Sequence, residues 1–172
     1  MTRGGSMLHG NEHTDEQIRS LIQALSSDSP MKRVHAANSL EQFGKATIPF
    51  LSQALTDPRD TVRWEAAKVL TRMHEPIAAP ALVRALEDES TGVRWQAAEG
   101  LIALGKEGLV PLLQTLIRQS DSVRLRQGAH HVLRSFAEGP YNKGLTQVVE
   151  ALESPAPIMA LPVAAFDALK KL

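Results

Sequence analysis

Arginine and tryptophan recur at fixed positions in this chain, and their spacing is its most informative feature. Four arginines each stand three residues before an alanine, and Ala36, Ala66, Ala97 and Ala129 follow one another 30, 31 and 32 residues apart. A guanidinium can hold a carboxylate through paired hydrogen bonds, and tryptophan is strongly enriched in binding hot spots. The spacing therefore predicts a repeated unit that presents two tryptophans and a row of cations. These residues are Trp64, Trp95, Arg33, Arg63, Arg94 and Arg126.

The other reactive side chains form no recognisable catalytic or metal-binding motif. His130 and His131 are adjacent, so on a helix they point about 100° apart and do not chelate one ion together. There is no Gly-x-Ser-x-Gly elbow and no glycine-rich phosphate loop after a strand. The chain has no cysteine, which excludes disulfides, thiolate nucleophiles and cysteine metal ligands. We therefore predict no catalytic residue, no metal site and no cofactor.

The overall charge argues against a polyanionic partner. Lysine plus arginine and aspartate plus glutamate both number 19, so no global field attracts nucleic acid or an anionic membrane. Residues 118–134 are locally basic, with four arginines and one aspartate. No stretch reaches the roughly 18 apolar residues of a membrane span, and the first residues lack the apolar run of a signal peptide. A cytoplasmic protein with no membrane partner is the expectation.

Each repeat resolves into two amphipathic helices joined by a compact turn. The first helices carry apolar residues three and four apart, with Pro49, Pro80 and Pro111 at one register. A capping box from Thr14 to Gln17 is expected to start the first helix, and Gly44, Gly105 and Gly139 are expected to end second helices in a left-handed conformation. Residues 1–13 are interpreted as a flexible tail, native or vector-derived. The remainder, 14–172, is one domain with repeats at 14–44, 45–75, 76–106, 107–139 and 140–172.

These repeats resemble a known family. Units of about thirty residues with an aspartate in the turn, Val-Arg near the start of the second helix and an Ala-Ala pair resemble the short HEAT-like repeats of phycobilin lyase subunits and of many bacterial proteins. The resemblance covers residues 14–172 and implies an all-α fold, a right-handed α-α superhelix of about five helical hairpins. It also implies that the arginines form a structural ladder with acids or helix-end carbonyls of the adjoining repeat, with Asp57 and Asp88 as acceptors. An anion-binding row is the alternative.

In such solenoids the second helices line the concave wall. Projecting them at 100° per residue places the tryptophans away from the buried arc, in a strip that crosses the stack. Two exposed indoles would then form a contact surface for a protein or peptide; the alternative is that they cover the interface between repeats. The residues expected on this binding surface are Trp64, Trp95, Lys68, Glu99, Gln127 and His131.

The leading interpretation is a non-enzymatic scaffold for protein-protein interaction. Resemblance leaves two alternatives open: a bilin lyase-like or chaperone subunit, and a DNA-binding protein like the HEAT-like alkylpurine glycosylases. The absence of cysteine argues against a thioether carrier of bilin, and zero net charge argues against DNA. The last helix pattern, from Phe166 to Leu172, is apolar, so it is either capped by its lysines or docked on a second copy as a homodimer.

Overall fold

The computed structural model describes residues 6–139 and 142–172, and in these residues the chain is all-α, with no strand. Two short 3₁₀ segments, Gly44–Thr47 and Pro76–Ala78, lead into the third and fifth helices. None of the described helices combines the length and hydropathy needed to cross a bilayer. The helices are α1 Ser6–Ala24, α2 Pro30–Phe43, α3 Ile48–Ala54, α4 Asp60–Met73, α5 Ala79–Ala85, α6 Thr91–Ala103, α7 Lys106–Arg118, α8 Val123–Ala137, α9 Asn142–Glu153 and α10 Pro157–Leu169.

Four successive helix pairs stack as a solenoid. The second helices pack in the order α2, α4, α6 and α8, and the first helices α1, α3, α5 and α7 lie behind them. Alanine pairs such as Ala66 and Ala67 are fully buried, and Val62 and Leu70 are buried on the same side of α4. Because alanine is small, neighbouring second helices approach closely while the branched residues fill the space between the layers. The predicted all-α solenoid of paired helices is confirmed.

The prolines of the first helices have two environments. Pro49 and Pro80 lie in the first turn of α3 and α5, where the missing N–H has no intrahelical partner to lose. Pro111 lies inside α7, because that helix begins directly after Gly105 at Lys106, without a 3₁₀ segment before it. The three prolines therefore have equivalent positions in their units. Only in the fourth unit does the helix begin earlier, so that its proline lies inside the helix.

The helix ends differ from the sequence prediction at two places. Helix α1 begins at Ser6, so residues 6–13 are helical and the Thr14 capping box lies inside the helix; residues 1–5 of the predicted tail lie outside the described residues. Between Ser6 and Thr14 the only poor helix former is Gly10, which costs about 1 kcal/mol and does not stop the helix. Gly44 and Gly105 have the expected positive φ. Gly139 does not, because Glu138, which follows the last residue of α8, keeps a right-handed backbone, and the N–H of Gly139 donates to the carbonyl of Phe136.

The last helix pair is reversed relative to the first four. Apart from their contacts with each other, helix α9 packs mainly on α8 and helix α10 mainly on α7, so α9 extends the layer of second helices and α10 the layer of first helices. Ser120 donates from Oγ to the carbonyl of Ile158 at 3.2 Å, which ties α10 to the turn before α8. The predicted fifth repeat, 140–172, therefore does not keep the helix order of the other four. Both helices carry an apolar stripe, and packing rather than repeat order decides which layer each one joins.

Candidate binding site on the second helices

Trp64 and Trp95 lie on the outer side of the second-helix layer. Val62 and Val93, two residues before them, are buried against the first helices. Two residues along a helix correspond to a turn of about 200°, so each indole points away from that core. The side chains are 37% exposed for Trp64 and 57% exposed for Trp95. We call the surface formed by Trp64, Lys68, Trp95, Glu99, Gln127 and His131 the tryptophan face.

Trp64 is held by its own helix and by the next one. The ammonium of Lys68, one turn further along α4, lies 4.6 Å from the centroid of the indole, a cation-π contact of about 0.5–1 kcal/mol at an exposed site. The same ammonium is 3.3 Å from a carboxylate oxygen of Glu65. The ring also rests against Gly92, where a Cβ atom would lie 3.3 Å from the indole Cδ1. Trp64 is therefore fixed over the start of α6.

Trp95 is stacked on His131 of α8. The ring centroids are 4.7 Å apart and the planes differ by 25°. Glu99, one turn after Trp95 on α6, accepts a hydrogen bond from Nε2 of His131 at 3.0 Å. A carboxylate accepts only, so the proton of this bond lies on the imidazole. Two side chains of α6 thus orient the histidine, and the stacked pair presents a flat aromatic surface.

A cavity of about 200 Å³ opens beside this stacked pair, between α6 and α8. Trp95 and His131 form one part of its wall, and Gln127 forms part of its rim. Its remaining polar wall comes from Thr91 and Arg94 at the start of α6. The residues that line it are Thr91, Arg94, Trp95, Ala98, Gln127, Gly128 and His131. The structure thus brings three predicted surface residues, Trp95, Gln127 and His131, and one predicted ladder arginine around one cavity.

The arginine row closes the turns within the repeats. In every unit the Nη1 atom donates to the backbone carbonyl of the residue six positions earlier. This bond ties the start of the second helix to the turn before it. The arginines therefore have a structural role, but these bonds lie within a repeat, whereas the ladder prediction placed them between neighbouring repeats. The four bonds are Arg33 to Ser27 at 2.7 Å, Arg63 to Asp57 at 2.8 Å, Arg94 to Asp88 at 2.8 Å and Arg126 to Ser120 at 2.6 Å.

Carboxylate contacts between repeats occur for half of the row. Arg63 donates from Nε and Nη2 to the two oxygens of Asp88 at 2.7 and 3.1 Å, and the Asp88 hydrogen bond raises the pKa of Arg63. Arg33 pairs with Glu65 at 3.3 Å, a buried acid that the sequence analysis did not identify. Within the described part of the chain, Arg94 and Arg126 pair with no carboxylate.

Asp57 does not act as the predicted cross-repeat acceptor. Its carboxylate accepts from Nε and Nη2 of Arg59, both at 2.8 Å, and from the Arg59 backbone N–H at 2.9 Å. Arg59 is only two residues away and occupies both carboxylate oxygens, so none is left for an arginine of the neighbouring repeat. Only the backbone carbonyl of Asp57 serves the arginine row. Of the two predicted acceptors, Asp88 alone bridges repeats through its side chain.

The Asp57 contact predicts a pH-dependent contribution to stability. The hydrogen bond from Arg59 lowers the pKa of Asp57 in the folded protein, so the contribution is present above the unfolded pKa and is lost as the pH falls through the folded pKa. We expect Asp57→Asn to cost up to about 1 kcal/mol at neutral pH and nothing once the carboxyl is protonated. Urea denaturation of both proteins from neutral to acid pH checks this; a constant difference would contradict it.

The two adjacent histidines serve different neighbours. His130 contacts Glu153 at the end of α9 at 2.8 Å, whereas His131 contacts Glu99 of α6. The helical divergence predicted for these rings is thus seen in their partners. Among the residues that the structure describes, no group of three or more histidines and acids gathers closely enough to hold a metal ion.

Comparison with known proteins agrees with the repeat architecture. The HEAT repeats family matches residues 18–101, and no curated protein sequence matches the chain. Human deoxyhypusine hydroxylase in complex with glycerol is similar in structure, with a TM-score of 0.51 and 23% identity over 94% of this chain and 64% of that one. An engineered protein gives a TM-score of 0.43 and 19% identity, over 90% of this chain and 79% of the other. Residues 18–101 therefore match the HEAT repeats family, and the all-α stack of helix pairs agrees with that match.

Proposed function

We propose that this chain is a non-enzymatic interaction module that binds an extended segment of a partner protein on the tryptophan face. The observation that carries the proposal is the placement of the chain's two tryptophans, both partly exposed, on neighbouring second helices. Indoles held in a partly open surface are typical of binding hot spots, where truncation costs about 2 kcal/mol or more. HEAT-like arrays commonly present such surfaces without catalytic groups.

The indoles are already oriented for binding. His131 stacks on Trp95, and Lys68 and the backbone at Gly92 contact Trp64. Side chains that are fixed before association lose little conformational entropy when a partner arrives, so more of the contact energy becomes affinity. This preorganisation supports a contact surface over the alternative that the rings only cover the interface between repeats.

The dimensions favour a peptide over a small molecule. The cavity beside Trp95 holds about 200 Å³, below the roughly 300–1,000 Å³ of typical small-molecule sites. Packed helices lie about 10 Å apart, which corresponds to about three residues of extended chain at about 3.3 Å each. A segment that runs across α4 and α6 can therefore place one anchor on each indole.

The similarity to human deoxyhypusine hydroxylase concerns the fold. At 23% identity, with this chain covering 64% of the hydroxylase, the enzyme's activity stays with that protein. Function depends on the residues of a site, and unrelated functions share solenoid folds. The proposal therefore stands on the tryptophan face itself.

The proposal predicts that both indoles are required for peptide binding. Peptides selected from a displayed random library on the wild-type chain should change its tryptophan emission, because both reporters lie on the tryptophan face. The Trp64→Ala, Trp95→Ala double variant should bind these peptides at least about 100-fold more weakly. Fluorescence anisotropy of labelled peptides measures the affinity, and circular dichroism checks the fold.

Ile77→Ala provides the matched control. Ile77 is 72% exposed in the 3₁₀ segment before α5, so its truncation also removes an exposed apolar side chain, but not one on the tryptophan face. Its peptide affinity should equal that of the wild type. Equal affinities for all three proteins, or a double variant that has lost its fold, would assign the indoles to packing.

A further inference from the structure

We propose that the cavity between α6 and α8 receives an acidic side chain of the bound peptide, with Arg94 as the cation that holds its carboxylate. This inference rests on the proposed function and specifies the partner: a peptide with Asp or Glu next to an apolar residue. It follows from a comparison of equivalent positions in successive repeats.

The third and fourth units differ at the residue that precedes each ladder arginine by six positions. Asp88 has this position in the third unit and Ser120 in the fourth, because each offers its carbonyl to the arginine that follows it. The side chain of Asp88 also reaches back to Arg63 of the preceding unit. Serine has no carboxylate, so the fourth unit offers Arg94 none at the place where Arg63 receives Asp88.

The donor pattern of Arg94 shows what is left over. Its Nη1 donates to the carbonyls of Asp88 and Glu89 at 2.8 and 2.9 Å, and its Nη2 donates to Oγ1 of Thr91 at 3.0 Å. A guanidinium carries five N–H donors, which leaves the Nε hydrogen and one Nη2 hydrogen. Arg63 uses this same Nε and Nη2 edge to bind Asp88. The Arg63 and Asp88 pair is thus an internal template for a ligand carboxylate on Arg94.

The surroundings of Arg94 favour an anion beside an apolar group. Arg94 and Thr91 line the cavity together with the stacked rings of Trp95 and His131. Glu99, one turn after Trp95, already accepts the hydrogen bond of His131. A peptide carboxylate can therefore meet Arg94 while the neighbouring apolar side chain packs on the rings. Paired hydrogen bonds between charged groups are among the strongest available to a protein.

The same comparison gives the peptide a direction on the surface. At the Trp64 end, Arg63 is already neutralised by Asp88 and Glu89. Lys68, the cation over Trp64, is paired with Glu65. An acidic residue of the peptide therefore finds a cation without a carboxylate partner beside Trp95 and only paired cations beside Trp64. The expected order along the bound segment places the acidic residue at the α6 and α8 end and an apolar anchor at the α4 end.

The test supplies the missing carboxylate within the chain. Ser120→Asp places an acid where Asp88 stands in the preceding unit, so it should occupy Arg94 and compete with the peptide. We expect the dissociation constant for a library-selected peptide to rise at least about tenfold in Ser120→Asp, and to stay unchanged in Ser120→Asn, which has the same shape without the charge. Both substitutions remove the hydroxyl bond to the Ile158 carbonyl, so the gain from the new ion pair is measured against Ser120→Asn, whose melting temperature should be lower than that of Ser120→Asp by about 2–4 °C. Replacing Glu by Gln in the peptide should also weaken wild-type binding about tenfold, and should change nothing further in Ser120→Asp.

The outcomes separate this inference from the proposed function. The carboxylate site would be overturned if the peptides required Trp95 but showed no preference for an acidic residue, and if Ser120→Asp and Ser120→Asn bound them with equal affinity. The proposed peptide-binding function would then still stand. Peptides that lose binding only when their C-terminal carboxylate is amidated would overturn the side-chain assignment. Peptides that bind equally without both tryptophans would instead overturn the proposed function.

Discussion

Replacing Arg63 by methionine will lower the free energy of unfolding by about 3–5 kcal/mol. The side chains of Arg63 and Asp88 are only 7% and 9% exposed, so the substitution leaves a nearly buried carboxylate without its cation. It also removes the donors for the carbonyls of Asp57 and Pro58, which end the turn before α4. Methionine keeps most of the apolar stem, so the loss measures the hydrogen bonds rather than a cavity.

A surface pair provides the control for Arg63. Arg72 pairs with Glu41 across α4 and α2, with the two side chains 39% and 30% exposed. Arg72→Met should cost clearly less than Arg63→Met, because water reaches both side chains of this partly exposed pair. Urea denaturation followed by circular dichroism compares the two variants. Equal losses would show that the Arg63 pair is no stronger than a surface contact.

A double variant tests whether the loss comes from the unpaired acid. Arg63→Met combined with Asp88→Leu removes both charges, so it should recover part of the stability lost in Arg63→Met alone. Strict addition of the two single losses would mean that the residues do not interact. This cycle also measures the coupling energy of the pair that serves as the template for a ligand on Arg94.

The solenoid could be predicted from the sequence because its cause is periodic. Buried alanines and leucines recur at helical spacing in each unit, and the same projection that buries Val62 turns Trp64 outward. These positions depend only on the helix itself and on the contact between similar neighbours. The confirmed fold and the exposure of both tryptophans follow from this local regularity.

Other features depend on which of several similar partners a side chain or helix contacts. The types of the residues do not predict that choice. Asp57 has Arg59 within its own turn and Arg33 in the preceding repeat, and the shorter connection prevails. Arg33 then pairs with Glu65, which is only 3% exposed although glutamate is normally found at the surface. No sequence signal distinguishes this glutamate from an exposed one. The same holds for the last hairpin, where α9 and α10 exchange layers because both have an apolar stripe.

Gly128 shows how an apparent departure from the repeat becomes informative in the structure. It replaces the bulkier residue found at this register in the other units, such as Glu65 in α4. A Cβ atom here would lie 2.9 Å from Cβ of Leu86 and 3.0 Å from its carbonyl oxygen. The glycine therefore lets α8 approach the end of α5, and it also lines the cavity beside Trp95. The sequence shows the exception, but the neighbour that requires it is visible only in three dimensions.

Replacing Gly108 by alanine will destabilise the protein strongly, although alanine is the better helix former. Gly108 lies in α7, where alanine would gain about 1 kcal/mol in helix propensity. Its Cβ atom would, however, overlap with the carbonyl oxygen of Leu101 and lie 2.9 Å from the carbonyl carbon. These are backbone atoms of α6, so no rotamer change relieves the contact and the two helices must separate. Overpacking of this kind costs about 1–3 kcal/mol or more, which reverses the propensity gain.

Gly44→Ala is the control for this prediction. Gly44 has a φ of 64° and a ψ of −144°, a backbone region essentially restricted to glycine, but no atom lies within 4 Å of the added Cβ. Its loss of about 1–3 kcal/mol should therefore come from backbone strain alone, with no displacement of α6. Thermal and urea denaturation rank the two variants, and a Gly108→Ala protein as stable as the wild type would contradict the close crossing of α6 and α7. Since α6 carries Trp95 and Arg94, displacing this helix should also disturb the stacking on His131. Gly108→Ala should therefore also weaken peptide binding, although Gly108 is not part of the tryptophan face.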